Sequence, residues 1–361
     1  MNVLEPFLVD GYVRVNPARL TEGDHDQLYN AAEGVYADAD VSESKTVHLD
    51  LLGDRALLQR IPEVGSLLED PAITSALTEL LGEHYFLHPH CFLHRAGTFD
   101  QVFHQDGNLP WNEHGHFRPH RSDWALLFYY PQTVTRENGP TEIVAGSQYW
   151  TKDFERSDGS WHPGDAFDRK FFTEVMQSTD TSFRDRRNDE ALASLGVPGL
   201  DRQFLTVGKG EAVICNYDIA HRGSRQGADQ SGRYMYKFYF ARTKKPVSTV
   251  PRITTESIRS ELRPVVEYCQ QWQSDHPMPV LEKNADWDLE SDREDQRIAA
   301  AYCHAANKDA DVLLAGLGNG REAVRRAAAY GLRAINQDCS EQVLELTKSK
   351  TYPPVATPIS Y

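Results

Sequence analysis

Two histidines, one aspartate and a distant arginine are the residues of this chain whose types and spacing best suit metal chemistry. They occur in Gln101-Val102-Phe103-His104-Gln105-Asp106, in Asn216-Tyr217-Asp218-Ile219-Ala220-His221, and at Arg233, twelve residues past that second histidine. In an extended chain residues i and i+2 point the same way, so His104 and Asp106 can both reach one ion. With His221 as a third ligand from elsewhere in the fold, two imidazoles and a carboxylate would share one face of a metal. Three positions would stay open, the donor set of ferrous oxygen chemistry. An arginine shortly afterwards could clamp the far carboxylate of a bound diacid.

Fourteen histidines leave room for accidental patterns. A second His-x-Asp, His48-Leu49-Asp50, precedes the strand-rich part of the chain and is not expected to ligate the same ion. His88-x-His90 and His114-x-His116 lack a carboxylate at the right offset and read as sheet or loop histidines near the substrate. Arg225, four residues after His221, competes with Arg233 for the clamp. Arg233 is preferred because it begins a strand. The five cysteines are scattered, with no C-x-x-C pair, and read as reduced, buried thiols of a cytoplasmic protein. No Gly-x-Ser-x-Gly elbow or phosphate-binding glycine loop points to nucleophilic or phosphoryl chemistry.

The elements that must position these residues follow from pattern. The chain has 361 residues, 40% hydrophobic and 25% charged, enough for one large domain and a smaller one. A formal charge of −15 weighs against nucleic acid or an anionic membrane as partner. No signal peptide and no membrane-spanning apolar run is expected. Phe7–Val15 reads as a strand entered through Asp10-Gly11, and Thr21 as the cap of a following helix. Pro71 opens a helix over 72–81. Strands are predicted over 85–94, 100–104, 123–130, 141–144, 203–207, 211–217 and 233–242. In the last of these, Tyr234, Tyr236, Phe238 and Phe240 share one face, while Arg233, Met235, Lys237 and Tyr239 share the other. Residues 151–200 form a polar insertion of the kind that serves as a lid or binding loop.

This is an α+β pattern: a double-stranded β-helix (jelly roll, cupin-like) core with flanking helices, then a small all-α region. Past residue 290, Ala299-Ala300-Ala301-Tyr302 recurs as Ala327-Ala328-Ala329-Tyr330, suggesting HEAT-like helical-hairpin repeats that must dock on a neighbour. The expected divisions are a catalytic domain over 1–245, a helical linker over 246–290, repeats over 291–350 and a tail over 351–361. A homo-oligomer or a partner contact through the repeats is also expected.

The motifs resemble the phytanoyl-CoA dioxygenase family of Fe(II)/2-oxoglutarate oxygenases. The resemblance runs over roughly residues 5–243. It starts with Phe7-Leu8-Val9-Asp10-Gly11-Tyr12 and continues with Gln101-x-x-His104-x-Asp106 and Glu137-Asn138-Gly139-Pro140-Thr141-Glu142 through Gly146-Ser147. Gly210-Glu211-Ala212-Val213, His221-Arg222-Gly223-Ser224 and Arg233 complete it. Ala145 and Gln148 depart from the family's usual Pro-Gly-Ser-His. The resemblance implies His104, Asp106 and His221 as iron ligands and Arg233 as partner of the 2-oxoglutarate C5 carboxylate. It also implies Gln101, Tyr129 and Thr141 as co-substrate contacts, with O2 as oxidant and succinate and CO2 as products. A small organic molecule would be hydroxylated or otherwise oxidised; halogenation is disfavoured because Asp106 fills the position a chloride would need. The other readings are a cupin-like metal-dependent isomerase or hydrolase, and a helical-repeat interaction protein carrying a vestigial oxygenase domain. Aromatic residues Phe92, Phe99, Phe103, Trp111, Phe117 and Trp124 suit a mid-sized organic substrate.

Overall fold

The computed structural model describes residues 3–38, 46–51, 56–98, 100–101, 103–106, 118–151, 178, 180–193, 195–227, 232–246, 252–274, 277–335 and 338–348. Phe99, Trp111, His114, His116, Phe117, most of the polar insertion and the tail lie outside those residues.

The described strands form two antiparallel sheets. The larger contains β1 (Tyr12–Val15), β2 (Thr46–Asp50), β3 (Tyr85–Leu87), β4 (His90–Arg95), β5 (Trp124–Tyr129), β8 (Ala212–Asn216) and β10 (Tyr234–Arg242). Its order is β1-β8-β5-β10-β4-β2, with β3 also pairing β10. The smaller contains β6 (Thr141–Ala145), β7 (Asp201–Phe204) and β9 (His221–Gly223), in the order β7-β6-β9. Sequence-distant strands lie side by side in both, as in a double-stranded β-helix.

Strand alternation divides the core in two. Leu127, Tyr129, Ile214, Tyr236, Phe238 and Phe240 face an outer helical layer and share its core. Leu126, Phe128, Tyr130, Val213, Cys215 and Met235 face inward and meet Ile143, Leu205 and Val207 of the smaller sheet side. The functional residues stand at this inner interface.

Several expected elements differ. Leu4–Val9 is a helix (α1), not part of a strand, because Leu4, Phe7 and Leu8 bury one helical face. Gly11, at φ +86°, then turns the chain into β1. The expected strand over 85–94 is broken at His88-Pro89. Around 100–104 the described backbone makes only an isolated bridge at His104. The helix behind Thr21 is Glu22–Ala37 (α2), closed by a reciprocal capping box with Asp24. Four shorter helices follow in sequence: Leu57–Arg60 (α3), Glu63–Leu68 (α4), Pro71–Leu81 (α5) and, inside the polar insertion, Thr181–Ala193 (α6).

The expected linker holds helix α7 (Arg263–Ser274), and Val265, Val266 and Tyr268 join the outer core. Beyond it, Glu294–Ala306 (α8) and Glu322–Ala334 (α10) place the two Ala-Ala-Ala-Tyr copies at matching positions. Ala310–Leu317 (α9) and Ser340–Lys348 (α11) follow them. Ile298, Tyr302, Leu313, Val324 and Tyr330 belong to the same outer core as the sheet. Gly331 lets the pair close, since a Cβ there would stand 2.6 Å from Leu313 and 2.8 Å from the Ala301 carbonyl. No helix among the described residues is long and apolar enough to cross a membrane.

Candidate metal centre

A backbone bridge delivers the two histidines to one place. The His104 N–H donates to the His221 carbonyl at 3.0 Å, and the His221 N–H donates back at 2.9 Å. The imidazole centroids stand 4.4 Å apart. Asp106, two residues on, brings its carboxylate 3.8 Å from His104 Nε2 and 3.9 Å from His221 Nε2. One donor atom from each lies within 4.8 Å of the others, and both histidines are buried.

The donor set fits a ferrous ion on local grounds. His221 Nδ1 lies 3.0 Å from the Ile219 carbonyl, which holds the N–H on that nitrogen and leaves the Nε2 lone pair facing Asp106. Ile219 and Phe128 are fully buried on the inner side, and Phe128 lies 5.6 Å from the His221 ring. Two nitrogens and one oxygen in a buried site can hold a borderline divalent ion.

The segments carrying His104, Asp106 and His221 are braced. The Gln105 amide donates to the carbonyls of Ser147, Trp150 and Asp218, at 3.2, 3.3 and 2.8 Å. Arg118, fully buried, donates to Gln105 Oε1 and, at 3.3 Å, to Asp218 Oδ1. Burial pushes the Asp218 carboxyl up to about 6, against the pull of Arg118. Ser147 Oγ accepts the Ala220 N–H at 2.8 Å, so the Gly146-Ser147 element buttresses the residue before His221. The C-terminal helices reach this brace: Tyr330 Oη accepts the Arg118 N–H at 2.8 Å, and Tyr302 Oη stands 2.6 Å from His120 Nδ1.

Arg233 is buried on the inner side and donates Nε–H to the Gly139 carbonyl at 2.8 Å. Among the described residues no carboxylate pairs with it. Burial lowers its pKa, partly opposed by Tyr130 and Tyr36. A desolvated guanidinium of this kind is completed by an anion. The competitor is occupied: Arg225 pairs with Asp100 through Nη1 at 2.9 Å and its own N–H at 2.8 Å.

The Asn138-Gly139-Pro140-Thr141 element builds the wall beside Arg233. Asn138 accepts the Thr135 N–H at 2.8 Å and donates to Thr133, and Gly139 takes φ +79°. Thr141 Oγ1 accepts from Tyr130 Oη at 2.8 Å and lies 3.6 Å from Met235 Sδ. Gln101 is close by, its side-chain oxygen accepting the Gly223 N–H at 2.9 Å.

Tyr129 is the correction. It points to the outer layer, where its hydroxyl meets His25 Nδ1 at 2.7 Å. The strand Trp124–Tyr129 is apolar on both faces, so sequence parity could not be read there; Tyr130, one step on, holds the inward position. Lys237 was missed although its parity with Arg233 was visible. Its buried Nζ lies 2.5 Å from Asp106 Oδ2 and 3.3 Å from His221 Nε2. His94 was also missed. It opposes Met235 across the ladder, and its buried Nε2 has no hydrogen-bond partner. Burial lowers its pKa well below the usual imidazole value, with Lys237 and Arg233 adding to the effect. His48 and Asp50 lie on β2, inside the large sheet and not before it.

The profile described as Phytanoyl-CoA dioxygenase (PhyH) matches residues 7–231. Among solved structures, the non-heme alpha ketoglutarate dependent carbocyclase SnoK from nogalamycin biosynthesis is 18% identical, with 66% of this chain and 83% of that chain covered and a TM-score of 0.43. EctD from S. alaskensis with 2-oxoglutarate and 5-hydroxyectoine is 14% identical, covering 71% and 82%, with a TM-score of 0.43. The epimerase SnoN, in complex with Fe3+, alpha ketoglutarate and nogalamycin RO, is 13% identical, covering 66% and 82%, at 0.44. No curated protein sequence matches significantly.

Proposed function

Because this chain belongs to the phytanoyl-CoA dioxygenase (PhyH) family, an iron- and 2-oxoglutarate-dependent dioxygenase-type activity is its general function, and we propose that it hydroxylates a small organic molecule. The observation that supports this most is the convergence of His104, Asp106 and His221 on the inner face that also carries a buried arginine without a carboxylate partner among the described residues.

In this reading His104, Asp106 and His221 hold the iron. Bound Fe(II) with 2-oxoglutarate and O2 supplies the oxidising power, and succinate and CO2 leave. Arg233 takes the C5 carboxylate of 2-oxoglutarate, a charge-assisted pair contributing about 1.5–3 kcal/mol. Its guanidinium is aimed by the Gly139 carbonyl, which uses one N–H and leaves the fork to the anion. Thr141, with Tyr130 fixing its hydroxyl, and Gln101 are the further proposed contacts. Phe128, Met235 and Ile219 keep water from the oxidising centre. The Lys237 ammonium sits on the Asp106 carboxylate, where it would compete with the metal for that group and could instead meet an acceptor on the substrate.

A cupin-like isomerase or hydrolase would leave Arg233 without a role, and a vestigial domain would have no reason to keep the full set. Residues 291–350 are proposed to be a helical-repeat unit docked on the oxygenase domain, and the buried free cysteines support a reducing, cytoplasmic setting. The test is oxygen-dependent turnover of 2-oxoglutarate across a small-molecule library. Hydroxylated product with one succinate per turnover is expected; substrate turnover in the absence of 2-oxoglutarate would overturn the reading.

A further inference from the structure

We propose that His48, Asp50 and His90 form a second seat for a divalent transition-metal ion, separate from the centre at His104, Asp106 and His221. The seat is built by the ladder between β2 and β4. In that ladder Asp50 opposes His90 and His48 opposes Phe92. Side chains at i and i+2 of one strand and at the directly opposed position of the next share one face of the sheet. The three residues therefore converge by register, and one donor atom of each lies within 4.8 Å of the others.

His90 Nδ1 stands 3.2 Å from Asp50 Oδ1 and 2.7 Å from His48 Nε2. Around an ion with bonds of roughly 2.0–2.2 Å, neighbouring donors in tetrahedral array lie about 3.3–3.6 Å apart. The carboxylate–imidazole gap is close to that range. The imidazoles, which now share a hydrogen bond, need to part by roughly 0.6–0.9 Å to meet it. Both rings are oriented by neighbours. His48 stacks on Phe92 at 5.0 Å, and His88 accepts the His90 N–H at 3.2 Å while its ring stands 5.0 Å from that of His90. Among the described residues, the ion pair of Asp50 is with His90, so no lysine or arginine neutralises the carboxylate.

Two imidazoles and one carboxylate with open positions favour copper, zinc and nickel over iron and exclude a magnesium-type ion, which needs an all-oxygen shell. The seat is exposed, so water can complete the shell. It lies on the inner face of the large sheet, the face that carries His94. His90 and His94 are four residues apart on β4, about 13 Å along the strand, too far to share an ion. An ion here would join β2, the last strand of the sheet, to its neighbour.

The test is equilibrium dialysis of tag-free, metal-stripped protein against Zn²⁺, and separately Co²⁺ for its ligand-field spectrum. Two equivalents are expected for the native chain, one for Asp106→Ala, one for His90→Ala or His48→Ala, and none held tightly by Asp106→Ala/His90→Ala. Zn²⁺ should also raise the melting temperature of Asp106→Ala and leave Asp106→Ala/His90→Ala unmoved. His48 and His90 are exposed, so their replacement tests binding without disturbing the core. A single equivalent in the native chain, lost in Asp106→Ala and retained in His90→Ala, would overturn this seat and leave the first centre standing. A single equivalent retained in Asp106→Ala and lost in His90→Ala would support this seat and overturn the first centre.

Discussion

Lys237 sets an ammonium 2.5 Å from the same Asp106 that is proposed to face a divalent cation, so two positive charges would compete for one carboxylate. At a few ångströms such repulsion outweighs a surface ion pair, because neither group is solvated. Lys237→Met should therefore tighten Fe(II) or Co(II) binding by about tenfold or more, corresponding to the ~1.4 kcal/mol per decade of an equilibrium constant. Weaker binding in that variant, measured by anaerobic titration, would show that the ammonium supports the site. Asp106→Ala should abolish substrate-dependent succinate formation; full turnover would remove the carboxylate from the ligand set. Zn²⁺, Co²⁺ or Ni²⁺ should inhibit by displacing the more weakly held Fe²⁺; stimulation by zinc would favour hydrolytic chemistry. The His-x-Asp spacing was legible because strand parity alone puts both side chains on one side. Tyr130 was not, because an all-apolar strand offers no parity to count.

At the scale of elements, one glycine connects a turn to Arg233, the proposed co-substrate clamp. Gly139 holds φ +79°, and a Cβ there would meet the Ser224 carbonyl at 2.8 Å. Gly139→Ala should cost about 1–2 kcal/mol from backbone strain alone and move the carbonyl that aims Arg233. A lower melting temperature with a raised KM for 2-oxoglutarate is expected; an unchanged KM would detach the turn from the clamp. The paired helices carry a pH-dependent element. Glu294 is buried between Arg297, at 2.7 Å, and Arg326, at 3.2 Å. Burial raises its carboxyl pKa, yet Arg326 and then Arg297 more than offset this and hold it below the ordinary range. A folded value below the unfolded one gives stability that is present above the usual carboxylate range and lost as pH falls through the folded value. Glu294→Gln should destabilise by roughly 3–5 kcal/mol at pH 7. That gap, read from melting curves, should narrow in acid. The 28-residue echo of Ala-Ala-Ala-Tyr announced these helices, while α1 was hidden in a segment whose apolar run suits strand and helix equally.

Across the whole molecule the terminal helices are continuous with the oxygenase core. Tyr302 and Tyr330 touch the 118–121 segment, and Arg118 from that segment braces both ligand-bearing stretches. Truncation after residue 290 should therefore expose the buried faces around Val265 and Tyr268 and weaken iron binding together with stability. Dialysis of the truncated chain against Fe(II), with circular dichroism as the fold control, is the measurement. A folded fragment with native affinity would make the helices accessory. The jelly roll and the convergence of His104, Asp106 and His221 could be anticipated from pattern because alternation and spacing are local. The Arg118 brace could not be, since it joins residues that no periodicity relates.

The mutual hydrogen bonds between the His104 and His221 backbones carry one last consequence. The proposed iron site is absent from a half-made chain, because the second imidazole arrives only when a strand from the far half closes against the first. Iron loading there would thus be a late event in maturation, and its onset during refolding would time the pairing of His104 with His221.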